Sequence, residues 1–300
     1  LTKNISSDKV VSENHPGLVE HTFDAGEVRL NYAEGPANGA PLVLLHGLGR
    51  RWQVFLPVLP ALSLRWRIFA PDLRGHGKSS HVARGYHGPQ FSEDIAGFLR
   101  ERVEAPAVLF GHSLGGMLAM QVAAHHPELV RALILGDNMI VARQLQHPMY
   151  TALFSGLRDL ARGGGSVEKI AEGIGKIVLP VPGTGDSAAI RELPGNDEPY
   201  LLSWARCVQQ ADPDTYEMTL DGSSLEGWDG EAVLRVITCP TLLLQGTPEL
   251  GGLMSDADVA LAAKLLSHHA HVKFSNLGHA LFIQQPEPVL RAVTNFLESL

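Results

Sequence analysis

The segment Gly111-His112-Ser113-Leu114-Gly115 sets one hydroxyl between two glycines, where an apolar run (residues 107–110, AVLF) gives way to helical spacing over residues 114–125. This is the G-x-S-x-G pattern, in the strand–turn–helix setting that the pattern requires. A turn tight enough to push a side chain out of a sheet leaves little room for neighbouring Cβ atoms, and Gly111 and Gly115 relieve that crowding. The following helix aims its N-terminal N–H groups and positive dipole end at charge developing on Ser113. The chemistry implied is nucleophilic attack by Ser113, with the Leu114 N–H as one donor to an oxyanion. The competing reading is a glycine-rich turn with an incidental serine, and the flanking elements favour the nucleophile.

A serine is a weak nucleophile at its free pKa and needs an adjacent base. The chain has 14 histidines. His125, His126, His268 and His269 fall at the ends of helical patterns, where solvated surface is expected. His46, His76 and His112 lie inside turn motifs and are expected to hold those turns by hydrogen bonds. His279 follows the last apolar run and is flanked by Gly278 and Ala280, which makes it the candidate base.

These groups need a scaffold. Short apolar runs at residues 42–45 (LVLL), 67–70 (RIFA), 107–110 (AVLF), 132–135 (ALIL), 241–244 (TLLL) and 272–274 (VKF) end near Gly, Pro or Asp. Unalternated runs of this kind suit strands buried on both faces of a parallel sheet. Helical spacing separates them at residues 91–103, 114–125, 256–266 and 287–297, with Asp256 expected as an N-cap and Asp258 in the first turn behind it. Strands alternating with helices predict a doubly wound α/β sheet. Two earlier runs, 19–23 and 28–33, predict an opening antiparallel hairpin turned at residues 24–27. The alternation lapses over residues 139–235, which carry Gly163-Gly164-Gly165, Pro180, Pro182 and Gly183 between amphipathic pieces at 149–160 and 200–210. A structureless loop of that size is improbable, so a mostly helical insertion lying over one edge of the sheet is expected.

The chain resembles the α/β-hydrolase superfamily from about residue 19 to its end. His46-Gly47-Leu48-Gly49 after the third strand is similar to the family's oxyanion loop. Asp72-Leu73-Arg74-Gly75-His76-Gly77-Lys78-Ser79 is similar to its D-x-R-G-x-G-x-S turn, residues 111–116 to its nucleophile elbow, and Gly278-His279 to the usual setting of its histidine. The resemblance implies an eight-stranded, mostly parallel sheet with a helical cap inserted after strand six. It divides the chain into a core of residues 1–138 and 236–300 and a cap of residues 139–235. It also implies a second oxyanion donor, the Leu48 N–H, and supports His279 as the base.

For the acid the resemblance leaves two candidates. The family's usual G-x-x-D after strand seven reads Gly246-Thr247-Pro248-Glu249 here, so Glu249 has the right spacing with a longer side chain. Some members carry the acid after strand six, where Asp137 stands; the two remain rivals, with a slight lean to Asp137. Relatives that are dehalogenases or epoxide hydrolases carry Asp at the elbow, so Ser113 favours hydrolysis of an ester, lactone or related acyl bond through an acyl-enzyme. A carbon–carbon bond hydrolase, a lyase or cofactor-free haloperoxidase, or a low-turnover ligand-binding receptor are the alternatives. Met139, Met149, Tyr150, Phe154, Trp204 and Trp228 are candidates for an apolar pocket roof, each weighed against ordinary packing. Arg50, Arg51 and Trp52 could line the mouth of the site, and for the arginine doublet a solvated face is expected over a carboxylate clamp.

The composition agrees with this. A length of 300 residues with 45% hydrophobic and 19% charged suits one large α/β domain carrying an insertion. A net charge of −8 argues against a nucleic-acid partner. Cys207 and Cys239 form neither a disulfide framework nor a CxxC pair, and no cofactor or metal is expected. The most apolar long stretch, residues 105–124, is broken by Pro106, His112, Ser113 and glycines, unlike a membrane helix. Residues 1–16 are polar and lack the apolar centre of a signal peptide, although a start at Leu1 leaves room for a removed leader. The expectation is a cytoplasmic protein acting on a small hydrophobic ester or lactone, with oligomeric state and substrate identity open.

Overall fold

Five of the six unalternated apolar runs become strands because each has a core on either side. The computed structural model describes residues 17–103, 106–141, 148–181 and 184–300. The readings made on residues 1–16 and on Pro182 and Gly183 lie outside these. The chain order runs β1 (Val19–Asp24), β2 (Arg29–Glu34), β3 (Pro41–Leu45), β4 (Arg67–Pro71), helix α1 (Gly88–Phe98), β5 (Ala107–His112), α2 (Leu114–His125) and β6 (Val130–Gly136). After β6 come α3 (Pro148–Gly163), α4 (Val167–Lys176), the short strands β7 (Val178–Pro180) and β8 (Ser187–Ala189), α5 (Glu198–Gln209), α6 (Pro213–Leu220) and α7 (Gly230–Val236). The chain then returns through β9 (Thr241–Gln245), α8 (Asp256–Leu265), β10 (His269–Lys273) and α9 (Pro286–Glu298).

The central sheet has eight strands in the order β1-β2-β4-β3-β5-β6-β9-β10. β1 and β2 form the expected hairpin and β2 runs antiparallel to β4; every other pairing is parallel. The hairpin closes where Ala25 N–H donates to Val28 O and Asp24 Oδ1 accepts from Gly26 N–H. Successive residues of a strand serve opposite faces. Val43, Leu45, Leu109, Leu133 and Leu243 pack with α1, α2 and α8 on one face, while Leu42, Leu44, Phe110, Ile134 and Leu244 pack with α9 on the other. These side chains are all buried to 0% exposure, which is why the sequence shows runs instead of alternation.

Three local expectations are corrected. The last strand is His269–Lys273 and not 272–274: it is an edge strand paired only to β9, with its first three residues exposed, so it needs no apolar run. The helix expected at 91–103 starts at Gly88 and widens into a π-turn over Leu99–Val103. The N-cap of α8 is Ser255 in place of Asp256, with Ser255 and Asp258 forming a reciprocal capping box. The insertion after β6 is mostly helical, as expected, and also holds the β7–β8 antiparallel ribbon.

The insertion has its own core, built from Leu157, Ile170, Ile174, Leu201, Trp204 and Tyr216. It is tied to the loop after β4, where Asp212 N–H donates to Gly75 O and Tyr86 Oη donates to Asp212 Oδ2 at 2.6 Å. Its last helix, α7, belongs with the sheet: Leu234 packs into the same core as Ile140 and Leu118. Among the described residues, no helix is long and apolar enough to cross a membrane.

Candidate active site

The turn between β5 and α2 departs from ordinary backbone geometry. Ser113 sits at φ 56°, ψ −121°, a conformation that costs a non-glycine residue about 1–3 kcal/mol. The turn is held by Ser113 N–H donating to Gly136 O and by Gly116 N–H donating to Ser113 O. No side chain fits beside it: a Cβ on Gly111 would lie 2.2 Å from Gly115 O, and one on Gly115 would lie 2.1 Å from Leu45 O. Gly47, in the loop after β3, also approaches the turn, since a Cβ there would meet Ser113 Cβ at 3.0 Å.

That loop is fixed by two buried imidazoles. His46 Nε2 accepts from Leu73 N–H and His76 Nε2 accepts from Gly49 N–H, each at 3.0 Å. The opposite ring nitrogens donate to Gly47 O and Arg74 O, which settles both tautomers. Burial pushes the His76 pKa down to about 4 and that of His46 well below its ordinary value, so both rings stay neutral and can accept. The expectation that these histidines hold turns is thus met in their contacts. Among the described residues, the N–H groups of Leu48 and Leu114 reach no backbone or side-chain acceptor, and both residues line the cavity beside Ser113.

Of the two rival acids, the structure brings Asp137 to His279. Asp137 Oδ2 accepts from His279 Nδ1 at 2.8 Å and from Leu253 N–H at 2.7 Å; Oδ1 accepts from Gly246 N–H at 2.9 Å and Met254 N–H at 3.2 Å. Asp137 is fully buried at φ 45°, the only other non-glycine residue at positive φ among those described. Burial alone would raise its pKa, but the hydrogen bond and charge of His279, with the N–H groups of Leu253 and Gly246, hold it below the usual value. An ionised carboxylate only accepts, so His279 carries its proton on Nδ1 and presents Nε2 as a base. Glu249 lies in an exposed 3₁₀ turn over Pro248–Leu250; it lines the cavity but makes no hydrogen bond to His279.

Among the described residues the His112 ring makes no hydrogen bond within its own turn, contrary to expectation; it reaches His279 instead. Its ring stacks on His279 with centroids 4.6 Å apart, and its Nε2 donates to the His279 carbonyl at 2.9 Å. Burial, then the neighbouring His279, depresses its pKa, so it braces His279 as a neutral ring. No hydrogen bond joins Ser113 to His279 here, although both line one cavity; such links commonly tighten when substrate binds.

The cavity measures about 470 Å³ and lies between the sheet's carboxyl edge and the insertion. Met139, Met149, Tyr150, Phe154 and Trp204 line it, as expected for a roof. Trp228 does not: its Nε1 donates to Ile140 O and its ring packs against the core. The expectation of a solvated arginine pair also fails. Arg51 is 3% exposed and donates to Gln210 Oε1, while Arg50 turns into the cavity beneath Tyr200 and Trp204. Both are covered by residues about 150 positions further along the chain, which local patterning does not register. Among the described residues, no group of His, Cys, Asp and Glu is arranged to hold a metal ion.

Comparison with known proteins agrees with this architecture. A family model described as alpha/beta hydrolase fold matches residues 40–286. The chain is similar to a 2-(acetamidomethylene)succinate hydrolase of Mesorhizobium japonicum, 27% identical and aligned over 100% of this chain and 99% of the relative. It is also similar to a pimeloyl-[acyl-carrier protein] methyl ester esterase of Stenotrophomonas maltophilia, 29% identical over 90% of this chain and 97% of that one. The enol-lactonase structure from Burkholderia xenovorans superposes with a TM-score of 0.72 at 21% identity, covering 93% and 100% of the two chains.

Proposed function

The chain belongs to the alpha/beta hydrolase fold family, and from that premise we propose that it hydrolyses an ester, lactone or related acyl bond of a small hydrophobic substrate through an acyl-enzyme on Ser113. The observation that carries this reading is the buried Asp137–His279 hydrogen bond of 2.8 Å, opening on the same cavity as a strained Ser113. His279 Nε2 removes the hydroxyl proton as Ser113 Oγ bonds to the carbonyl carbon. The carbonyl π electrons move to oxygen, and the Leu48 and Leu114 N–H groups receive that oxyanion, ideally about 3 Å away. Collapse expels the alkoxide, which takes the proton from the imidazolium. Water, deprotonated by His279, then attacks the acyl carbon and releases the acid and Ser113. Asp137 fixes the imidazole tautomer and stabilises the imidazolium; Glu249 stands outside this relay.

An acetamido compound in the name of one relative makes amides a second class to assay beside esters. The reading is tested by rapid mixing with p-nitrophenyl butyrate. A burst of nitrophenolate equal to the enzyme concentration, followed by slower turnover and absent in Ser113→Ala, is expected. Linear release at the uncatalysed rate by folded protein would favour the ligand-binding alternative.

A further inference from the structure

The apolar cavity carries one cation that hydrolysis of a neutral ester does not use. Arg50 is the sole Lys or Arg among the described residues that line it. Its guanidinium carbon lies 4.1 Å from the centroid of the Trp204 ring and 5.6 Å from that of Tyr200. Its Nη2 donates to Tyr200 Oη at 2.9 Å. Elsewhere Arg67, Arg74, Arg102, Arg158 and Arg191 each reach a carboxylate. Arg50 has none among the described residues, and its Nε and Nη1 remain unengaged. A half-buried guanidinium facing apolar walls loses hydration without a counter-charge, and the fixed planar fork suits a carboxylate above other partners.

The position matters as much as the charge. Arg50 is two residues beyond Leu48, on the loop fixed by His46 and His76, and its own N–H donates to Gly47 O. The loop that offers an oxyanion donor therefore also holds the cation. Tyr200 and Trp204 belong to α5 of the insertion, so the guanidinium sits at the seam between sheet and cover.

We propose that Arg50 binds a carboxylate on the substrate, so that the preferred substrate is a hemiester of a small dicarboxylic acid, with an apolar chain between the charged end and the scissile carbonyl. This rests on the serine-hydrolase reading above. Stacking on Trp204 holds the fork in place, and the substrate carboxylate accepts from the free N–H groups.

The test compares monomethyl succinate, glutarate and adipate with the methyl esters of the matching monoacids, at pH 7. In the wild type the best hemiester should exceed its neutral partner in kcat/KM by about tenfold to a hundredfold, the scale of a charge-assisted hydrogen bond. In Arg50→Gln that ratio should fall to near one. Arg50→Lys, which keeps the charge and loses the fork, should lie between. The ratio is internal to each variant, so a general loss of activity cancels. A ratio near one in the wild type, or one unchanged in Arg50→Gln, overturns the proposal. Calorimetry with free adipate gives a readout that needs no turnover: binding to wild type that Arg50→Gln abolishes supports the carboxylate site, and no binding to wild type overturns it. Failure of a fluorophosphonate to label Ser113 in folded protein would instead remove the serine-hydrolase reading.

Discussion

Replacing Asp137 with Asn removes a charge and almost no volume, so the consequences follow from where the amide nitrogen goes. Placed at Oδ1, it would meet two donors, the N–H groups of Gly246 and Met254; placed at Oδ2, it would meet Leu253 N–H and His279 Nδ1. The second placement leaves one donor–donor conflict and is preferred, because His279 can relieve its share by changing tautomer. The ring then accepts at Nδ1 and carries its proton on Nε2, where it cannot take the proton of Ser113. Loss of the correct tautomer costs about 10⁴ in kcat, roughly 5.5 kcal/mol of barrier, and the remaining conflict costs about 1–3 kcal/mol of stability. The assay is kcat on an activated ester, with urea unfolding alongside to confirm that the variant is folded. Glu249→Gln is the control and should retain kcat within about tenfold. If Asp137→Asn keeps more than a tenth of wild-type kcat while Glu249→Gln loses it, the assignment of the acid is refuted.

Other consequences can be checked by equilibrium unfolding. His46, His76 and His112 are all held neutral by burial, so the unfolded chain binds more protons below the ordinary histidine pKa of about 6.5. Their stabilisation is complete above that pH and is lost as pH falls, at up to about 1.4 kcal/mol per unit for each ring. For His76 the loss runs on to about pH 4. Asp72, pushed up to about 6 by burial, and Asp94, also raised by burial, act in the opposite sense above the ordinary aspartate value, so three rings against two carboxylates should still leave net acid destabilisation. Urea midpoints that rise from pH 6.5 to pH 4 would contradict this. Gly115→Ala sets a Cβ 2.1 Å from Leu45 O and should cost about 3 kcal/mol or more, seen as a drop in Tm; a wild-type Tm would show that the elbow has slack. Tyr216 is fully buried and its hydroxyl has no partner among the described residues, so Tyr216→Phe should leave stability unchanged or raise it by up to about 1 kcal/mol. A clear loss would mean that the hydroxyl has a partner.

The central sheet and the elbow were legible because their signals are local. Buried parallel strands write runs such as LVLL and AVLF, and a turn with no room for Cβ writes two glycines around one serine. The edge strand His269–Lys273 wrote nothing comparable, because its first three side chains face solvent. The β7–β8 ribbon spans only three residues on each side, too few for a period to show. The acid was ambiguous because Gly246-Thr247-Pro248-Glu249 satisfies a spacing rule, whereas the three N–H groups that hold Asp137 come from residues more than 100 positions away. Arg50 and Arg51 are the same case: Tyr200, Trp204 and Gln210 turn a surface doublet into one cavity-lining and one buried side chain. The motif of His112 suggests a turn-holding role, whereas its ring instead braces the His279 carbonyl and joins two ends of the site that only the folded sheet brings together.

The account stands on Ser113 being an activated nucleophile. Its most direct test is peptide mapping by mass spectrometry after treating the folded protein with a fluorophosphonate. A single adduct on Ser113, absent from Ser113→Ala and strongly slowed in Asp137→Asn, is the expected result. No adduct on folded protein, or an adduct that persists in Ser113→Ala, would contradict the account.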